Sequence, residues 1–448
     1  MQIYDWQVLD DAGRRAALAR PAAALQSRTL MQAQAIIDAV RAEGDAAVAR
    51  CAREFDGLTL ADTAVSASEF DVARAQLSAA EVNLIERAIA NVEKFHRACM
   101  PLPVGLEVQP GVYCERLIRP IRSVGLYVPA GSAPLPSTVI MLALPARLAG
   151  CPERVLCTPP QRDGRASAAV LVAAGLCGIE RVFKIGGAQA IAAMAYGTTT
   201  VPKVAKIFGP GNAWVTAAKQ LVAADPEGAA LDMPAGPSEV LVIADDSARE
   251  QFVAADLLAQ AEHDPQAQAL LVTTSAEFAR RVAAVLQVQM QRLSRQMILR
   301  QSMANSRIIV APDLASAAAI SEAYAPEHLI IQTRAPREVL ERVHTAGSVF
   351  IGAWSPEPMG DYCSGTNHVL PTYGYARAYS GLSVHDFTRR MTVQELSAAG
   401  LRDLGPTASR LAYLEGLDAH AAAVELRLAA LRDEPAGDPG ASPAGGTS

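Results

Sequence analysis

From residue 129 onward the chain alternates between short apolar runs and longer Ala-rich stretches with helical spacing. "TVIMLALPARLAG" reads as a helix, "RVLCTPP" as a strand, "ASAAVLVAAGLCG" as a helix and "RVFKIGG" as a strand. The helix "AQAIAAMAYG", the strand "VAKIFGPG" and the helix "NAWVTAAKQLVAA" follow. Strands joined by helices do not form hairpins; they pair in parallel, with helices over the sheet faces. The alternation resumes after "PAGPS" with "EVLVIAD", "REQFVAADLLAQAEHD", "QALLVTT" and "AEFARRVAAVLQVQMQRL". "SRIIVAP", "ASAAAISEAYAP", "HLIIQT", another helix and "GSVFIG" complete it. The expected fold class is α/β, with two doubly wound modules meeting near residue 237.

The flanks read differently. Residues 1 to about 95 are expected to be mostly helical, with apolar residues at three-and-four spacing in "SAAEVNLIERAIANVEKFHRA". Short β-like runs, "GVYCERLIRPI" and "SVGLYVP", follow, and after 385 the chain is expected to be helical to about 433. The tail, "EPAGDPGASPAGGTS", has the composition of a disordered segment.

A chain of 448 residues exceeds one ordinary core. Its net charge of -6 argues against nucleic acid or an anionic membrane as partner. "MQIYDWQVLDD" lacks the pattern of a signal peptide, and "STVIMLALPARLAG", the nearest approach to a membrane span, is interrupted by Pro145 and Arg147. Seven cysteines without a C-x-x-C pair suit reduced, mostly buried thiols. A soluble, cytoplasmic protein is the expectation.

In open parallel sheets, ligands sit at the carboxyl ends of strands, which directs attention to "KIGGAQAIAA" and "IFGPGNAWVTAA". Each runs strand, Gly loop, helix, and suits either a phosphate or only a tight turn. Neither contains G-x-G-x-x-G. Other candidates pair histidine with a carboxylate or amide. Gln260 and His263 lie three apart where Pro265 must end a helix. Adjacent Glu327 and His328, in "YAPEHLII", read as a helix terminus followed by an edge residue, or as an acid/base pair. Asp361 and His368 share the loop "GDYCSGTNHVLPTYG". Glu415 and His420, five apart, stand about 140° apart on a helix. Such donors suit zinc or a similar divalent ion, but spacing alone leaves their convergence open.

Taken together, "VGLYVPAGSAPLPSTVIMLALPARLAGC", "KIGGAQAIAAMAYGT", "FGPGNAWVTAAK", "LDMPAGPSEVLVIAD", "DLLAQAEHDP", "APEHL", "GDYCSGTNHVLPT", "SGLSVHDFTRRMTVQELS" and "LEGLDAHAAAVELR" resemble the histidinol dehydrogenase family in order and spacing, over about residues 10–433. The resemblance implies two incomplete Rossmann-like modules. It divides the chain into an N-terminal extension (1–25), a larger α/β domain (26–127 and 238–383), an NAD-binding domain (128–237), a helical dimerisation arm (384–433) and a tail (434–448). It implies NAD-dependent oxidation of L-histidinol to L-histidine through bound L-histidinal, the last step of histidine biosynthesis. One zinc per subunit would be held by Gln260, His263, Asp361 and His420 of the partner subunit in a homodimer. Glu327 and His328 would be catalytic, and Tyr127, Gln189 and Asn212 would contact NAD. Ser238, Gln260, His263, His328, Asp361, His368, Glu415 and His420 would contact the substrate.

Two departures stand out: Ala130-Gly131 where the family commonly has Gly-Gly, and Cys363 where a small residue is common. Cys363 reads as a small loop residue, with a thiohemiacetal-forming thiol as the alternative. Two other functions compete: oxidation of another small alcohol such as a diol, and a catalytically silent binding protein on the same scaffold.

Overall fold

The computed structural model describes residues 1–21, 27–130, 134–234 and 236–433; Gly131 and the tail from 434 lie outside the described residues. Its strands are β1 (Gln2–Asp5), β2 (Val104–Gln109), β3 (Val112–Pro120), β4 (Ser123–Tyr127), β5 (Glu153–Thr158), β6 (Arg181–Lys184) and β7 (Lys206–Phe208). They continue with β8 (Ala230–Leu231), β9 (Glu239–Ala244), β10 (Gln268–Thr273), β11 (Arg307–Val310), β12 (His328–Gln332), β13 (Ser348–Ile351) and β14 (Thr388–Leu396). They form a six-stranded sheet ordered β1-β11-β10-β9-β12-β13, a five-stranded sheet ordered β6-β5-β4-β7-β8 and a three-stranded sheet ordered β14-β3-β2.

The two larger sheets are parallel throughout, as the strand–helix alternation requires. Helices cover both faces, so the central strands are apolar at nearly every position rather than at every second one. In β9, Val240, Val242 and Ala244 enter one core while Leu241 and Ile243 enter the other. The five-stranded sheet is likewise double-faced: Leu156 packs into one core, Val155 and Cys157 into the next. Residues 2–5, at the N-terminus, supply the edge strand β1 beside β11.

The chain divides into two compact units. Met1–Met100 with Pro120–Phe387 carry both parallel sheets; Pro101–Arg119 and the described residues from Thr388 to Asp433 make the second. Within the second, β2 and β3 form an antiparallel hairpin joined by β14, followed by helices Ala398–Leu414 and Asp418–Asp433. The expectation of continuous helix after 385 is corrected here, because residues 388–396 are a strand. "TRRMTVQEL" is mostly exposed and lacks apolar alternation, and its ladder partner β3 lies far away in sequence. No helix among the described residues is long and apolar enough to cross a membrane.

Candidate functional site

Helices in such modules run antiparallel to the strands, so their carboxyl ends return to the amino edge of the sheet. The helix Glu250–Ala261, following β9, carries Gln260 in its last turn, with His263 just beyond its end. The helix Leu314–Tyr324 ends at Ala325, whose left-handed backbone (φ 54°) turns the chain into β12. Glu327 and His328 are thereby set at the start of β12, where His328 is in register with Val240 of β9. The cluster lies at the amino edge of the six-stranded sheet. It lies apart from the carboxyl-end loops to which the open-sheet rule directs attention: Gln260 and His263 come from the end of a returning helix, and Glu327 and His328 from the start of a strand.

Asp361 is not in a loop but on the short helix Glu357–Tyr362, four residues after Glu357 and on the same face. The segment after it is anchored on the other module. Asn367 Nδ2 donates to the carbonyl of Met141 at 2.8 Å, and Val369, Leu382 and Phe387 enter the core around helix Pro136–Leu148. Cys363 caps this short helix; its carbonyl accepts from Asn91 at 2.9 Å, and its side chain packs on the same core.

One donor atom from each of His263, Glu357 and Asp361 lies within 4.8 Å of those of the others. His328 Nε2 stands 3.8 Å from Asp361 Oδ1, and its Nδ1 lies 3.6 Å from Glu327 Oε2 and 3.9 Å from Glu357 Oε1. The Gln260 amide is satisfied by Glu357 with its nitrogen inward, 2.9 and 3.1 Å from the Glu357 oxygens; the same nitrogen lies 3.0 Å from His328 Nδ1, which accepts from it only when unprotonated.

The backbone of Glu239 orients the pair at the start of β12. Its N–H donates to Glu327 Oε2 at 2.9 Å, and its carbonyl oxygen lies 3.2 Å from His328 Nδ1. A carbonyl only accepts, so in the tautomer that bonds to Glu239 the proton is on Nδ1 and Nε2 keeps a lone pair. That Nε2 is buried without a hydrogen-bond partner. Burial pushes His328 down to about 3, opposed by the Glu239 carbonyl and reinforced by the nearby His263 and His368. The imidazole is therefore neutral at pH 7 and able to take a proton at Nε2.

The carboxyl groups shift the other way. Burial, with Glu239 and Asp361 adding negative charge, raises Glu327 well above the usual range. Burial, then Asp361, Glu327 and Asp256, does the same to Glu357. Burial raises Asp361 to about 7. Among the described residues the ion-pair partner of these three is His328 alone. Buried negative charge with no Lys or Arg beside it, together with imidazole donors, fits a divalent cation. His263 reaches the surface, yet burial is still the main cause of its lowered pKa. His368 is pushed down to about 4, mainly by burial, and its Nε2 is also buried without a partner.

The remaining sequence candidates fall elsewhere. Ser238 immediately precedes β9 at the same sheet edge. Tyr127 ends β4, buried, its hydroxyl accepting from Gly187 N–H at 3.1 Å. Gln189 is buried in the first turn of helix Gly187–Tyr196, and Asn212 caps helix Ala213–Ala224, exposed, accepting from the N–H groups of Trp214 and Val215. Tyr127 is thus the last residue of β4, and Gln189 and Asn212 follow the carboxyl ends of β6 and β7. Glu415 and His420 lie in the second unit, both exposed, at the end of helix Ala398–Leu414 and in the first turn of the last helix.

Sequence reasoning missed Glu357, Glu239 and Arg20. Arg20 clamps Glu239 through two hydrogen bonds of 2.6 and 2.8 Å. A charged residue opening the wholly apolar run "EVLVIA" was the available signal for Glu239, and the four-residue spacing to Asp361 was the signal for Glu357.

The family model for histidinol dehydrogenase matches residues 19–428. A curated histidinol dehydrogenase of Xanthomonas euvesicatoria is 55% identical over 428 residues, 96% of this chain and 99% of that protein. One from Vibrio vulnificus is 52% identical over 428 residues, 96% of this chain and 98% of that protein. The crystal structure of histidinol dehydrogenase from Elizabethkingia anophelis superposes with a TM-score of 0.91 at 43% identity, covering 97% of this chain and 99% of that one. With its catalytic-type cluster and this likeness over nearly the whole length, the chain belongs to the histidinol dehydrogenase family of oxidoreductases.

Proposed function

We propose that the protein oxidises L-histidinol to L-histidine in two NAD-dependent steps through bound L-histidinal, completing histidine biosynthesis. The observation that carries this reading is the unpartnered, buried Nε2 of a neutral His328 beside the His263–Glu357–Asp361 donors. When bound, NAD supplies the hydride acceptor, and zinc a template for the substrate's amine and imidazole and a counter-charge for the carboxylates.

His328 Nε2 takes the hydroxyl proton as hydride leaves the carbinol carbon, gives that proton up to solvent, and then takes a second proton from the aldehyde hydrate as the second hydride leaves. Glu327, a strong base when ionised because it is buried, activates the water that forms the hydrate. Each oxidation releases one proton and two electrons, so one substrate reduces two cofactors. His368 and Ser238 orient the substrate, and Tyr127, Gln189 and Asn212 form the cofactor side.

Gln260, His263 and Asp361 are the zinc ligands of this reading, with His420 of the partner subunit as the fourth and Glu415 toward the cationic substrate. A homodimer suits the second unit, where Leu106, Leu411, Leu414 and Leu426 are exposed. NADH formation from L-histidinol, compared with small diols, tests the substrate. Turnover of diols in preference to histidinol would refute it.

A further inference from the structure

Glu357 lies outside the ligand set just described, yet it is only 1% exposed and stands among those donors. Both of its oxygens are within hydrogen-bond reach of the fully buried Gln260 amide nitrogen. We propose that Glu357 is a positioning residue: its carboxylate holds the Gln260 nitrogen and thereby turns the Gln260 oxygen toward the divalent cation. The inference rests on the zinc reading above.

A glutamine ligates a cation through its oxygen, whereas its NH2 group presents positive hydrogens. The two ends of a primary amide have nearly the same shape, so packing does not choose between them. Held ionised by a bound cation, a carboxylate chooses, because it accepts and cannot donate. With His328 Nδ1–H given to the Glu239 carbonyl, the Glu357 carboxylate is the acceptor that the Gln260 NH2 group meets, with both oxygens within reach of the nitrogen. Glu357 precedes Asp361 by one helical turn, so a single six-residue helix supplies one ligand and the group that orients another. Outer partners of this kind commonly set metal affinity.

The test is zinc affinity of the full-length protein, measured by competition with a fluorescent zinc chelator, for wild type, E357L, E357Q, Q260A and the combinations with Q260A. E357L is expected to weaken zinc by about 10- to 100-fold. In the Q260A background the same change is expected to add less than about threefold, because the residue it acts through is gone. E357Q keeps the shape of the side chain and serves where E357L does not fold; it is expected to weaken zinc at least about threefold, and to do nothing further in Q260A. Unchanged affinity in both variants, beside a wild type that binds zinc, would overturn the positioning role. A full additional loss in Q260A would overturn it too, making Glu357 a ligand in its own right. A wild type that binds no zinc would overturn the zinc reading and this role together.

Discussion

The carbonyl oxygen of Glu239 lies 3.2 Å from Nδ1 of His328, and an Nδ1–H donated to it leaves the lone pair of that imidazole on Nε2. The same residue's N–H holds Glu327, so one peptide segment at the start of β9 sets both members of the pair at the start of β12.

Replacing His328 by Asn removes the free lone pair and leaves the surrounding fold. NADH formation from L-histidinol should fall by about 10²–10⁴, with the thermal melting temperature little changed. Turnover within about threefold of wild type would remove His328 from the base role.

The clamp on Glu239 carries a stability prediction. Arg20 and Glu239 are both largely buried, and Tyr324 also donates to the Glu239 carboxylate, at 3.1 Å. Arg20→Met strands that carboxylate and should destabilise by about 3–5 kcal/mol. Arg20→Lys should recover part of the loss, since an ammonium keeps the charge but not the two-pronged geometry. Denaturant unfolding measures both.

Much of this fold was legible because a two-faced parallel sheet writes itself as apolar runs between helices. Each strand from β4 to β13 that the alternation marked is present. β14 was not legible, since mostly exposed "TRRMTVQEL" has no period and is held by a partner strand, β3, about 270 residues earlier. Glu327 with His328 was legible as an adjacent pair, whereas Arg20 looks in sequence like an ordinary surface charge and Glu239 and Glu357 carry only the faint signals of an apolar run and a four-residue spacing. Their burial comes from long-range packing: Arg20 and Glu239 are separated by 219 positions.

Asp256 gives a pH dependence. It is buried, accepts from Gln332 at 2.6 Å, and is raised by burial to about 7. A carboxyl whose folded pKa lies above its unfolded value favours the fold while protonated, so its contribution is complete below about 4 and is lost as pH rises through about 7. Asp256→Asn should therefore be more stable than wild type at pH 8, by an advantage on the order of 2 kcal/mol greater than at pH 5. Unfolding at the two pH values checks the sign; an advantage confined to pH 5 would contradict it.

Asn212 separates capping from cofactor binding. Its side-chain oxygen caps the helix Ala213–Ala224, which leaves the NH2 group for a ligand. Asn212→Asp keeps the capping oxygen, so stability should hold within about 0.5 kcal/mol. The KM for NAD should rise about tenfold or more, because an N–H donor to an anionic cofactor has become a negative charge. An unchanged KM would remove Asn212 from the cofactor site.

The most direct test is the stoichiometry of NADH produced from L-histidinol by the purified protein, before chelation, after it, and after zinc is restored. Two NADH per histidinol, abolished by the chelator and recovered with zinc, is the predicted result. Undiminished turnover in the metal-stripped protein, or no turnover of histidinol with zinc present, would contradict the account.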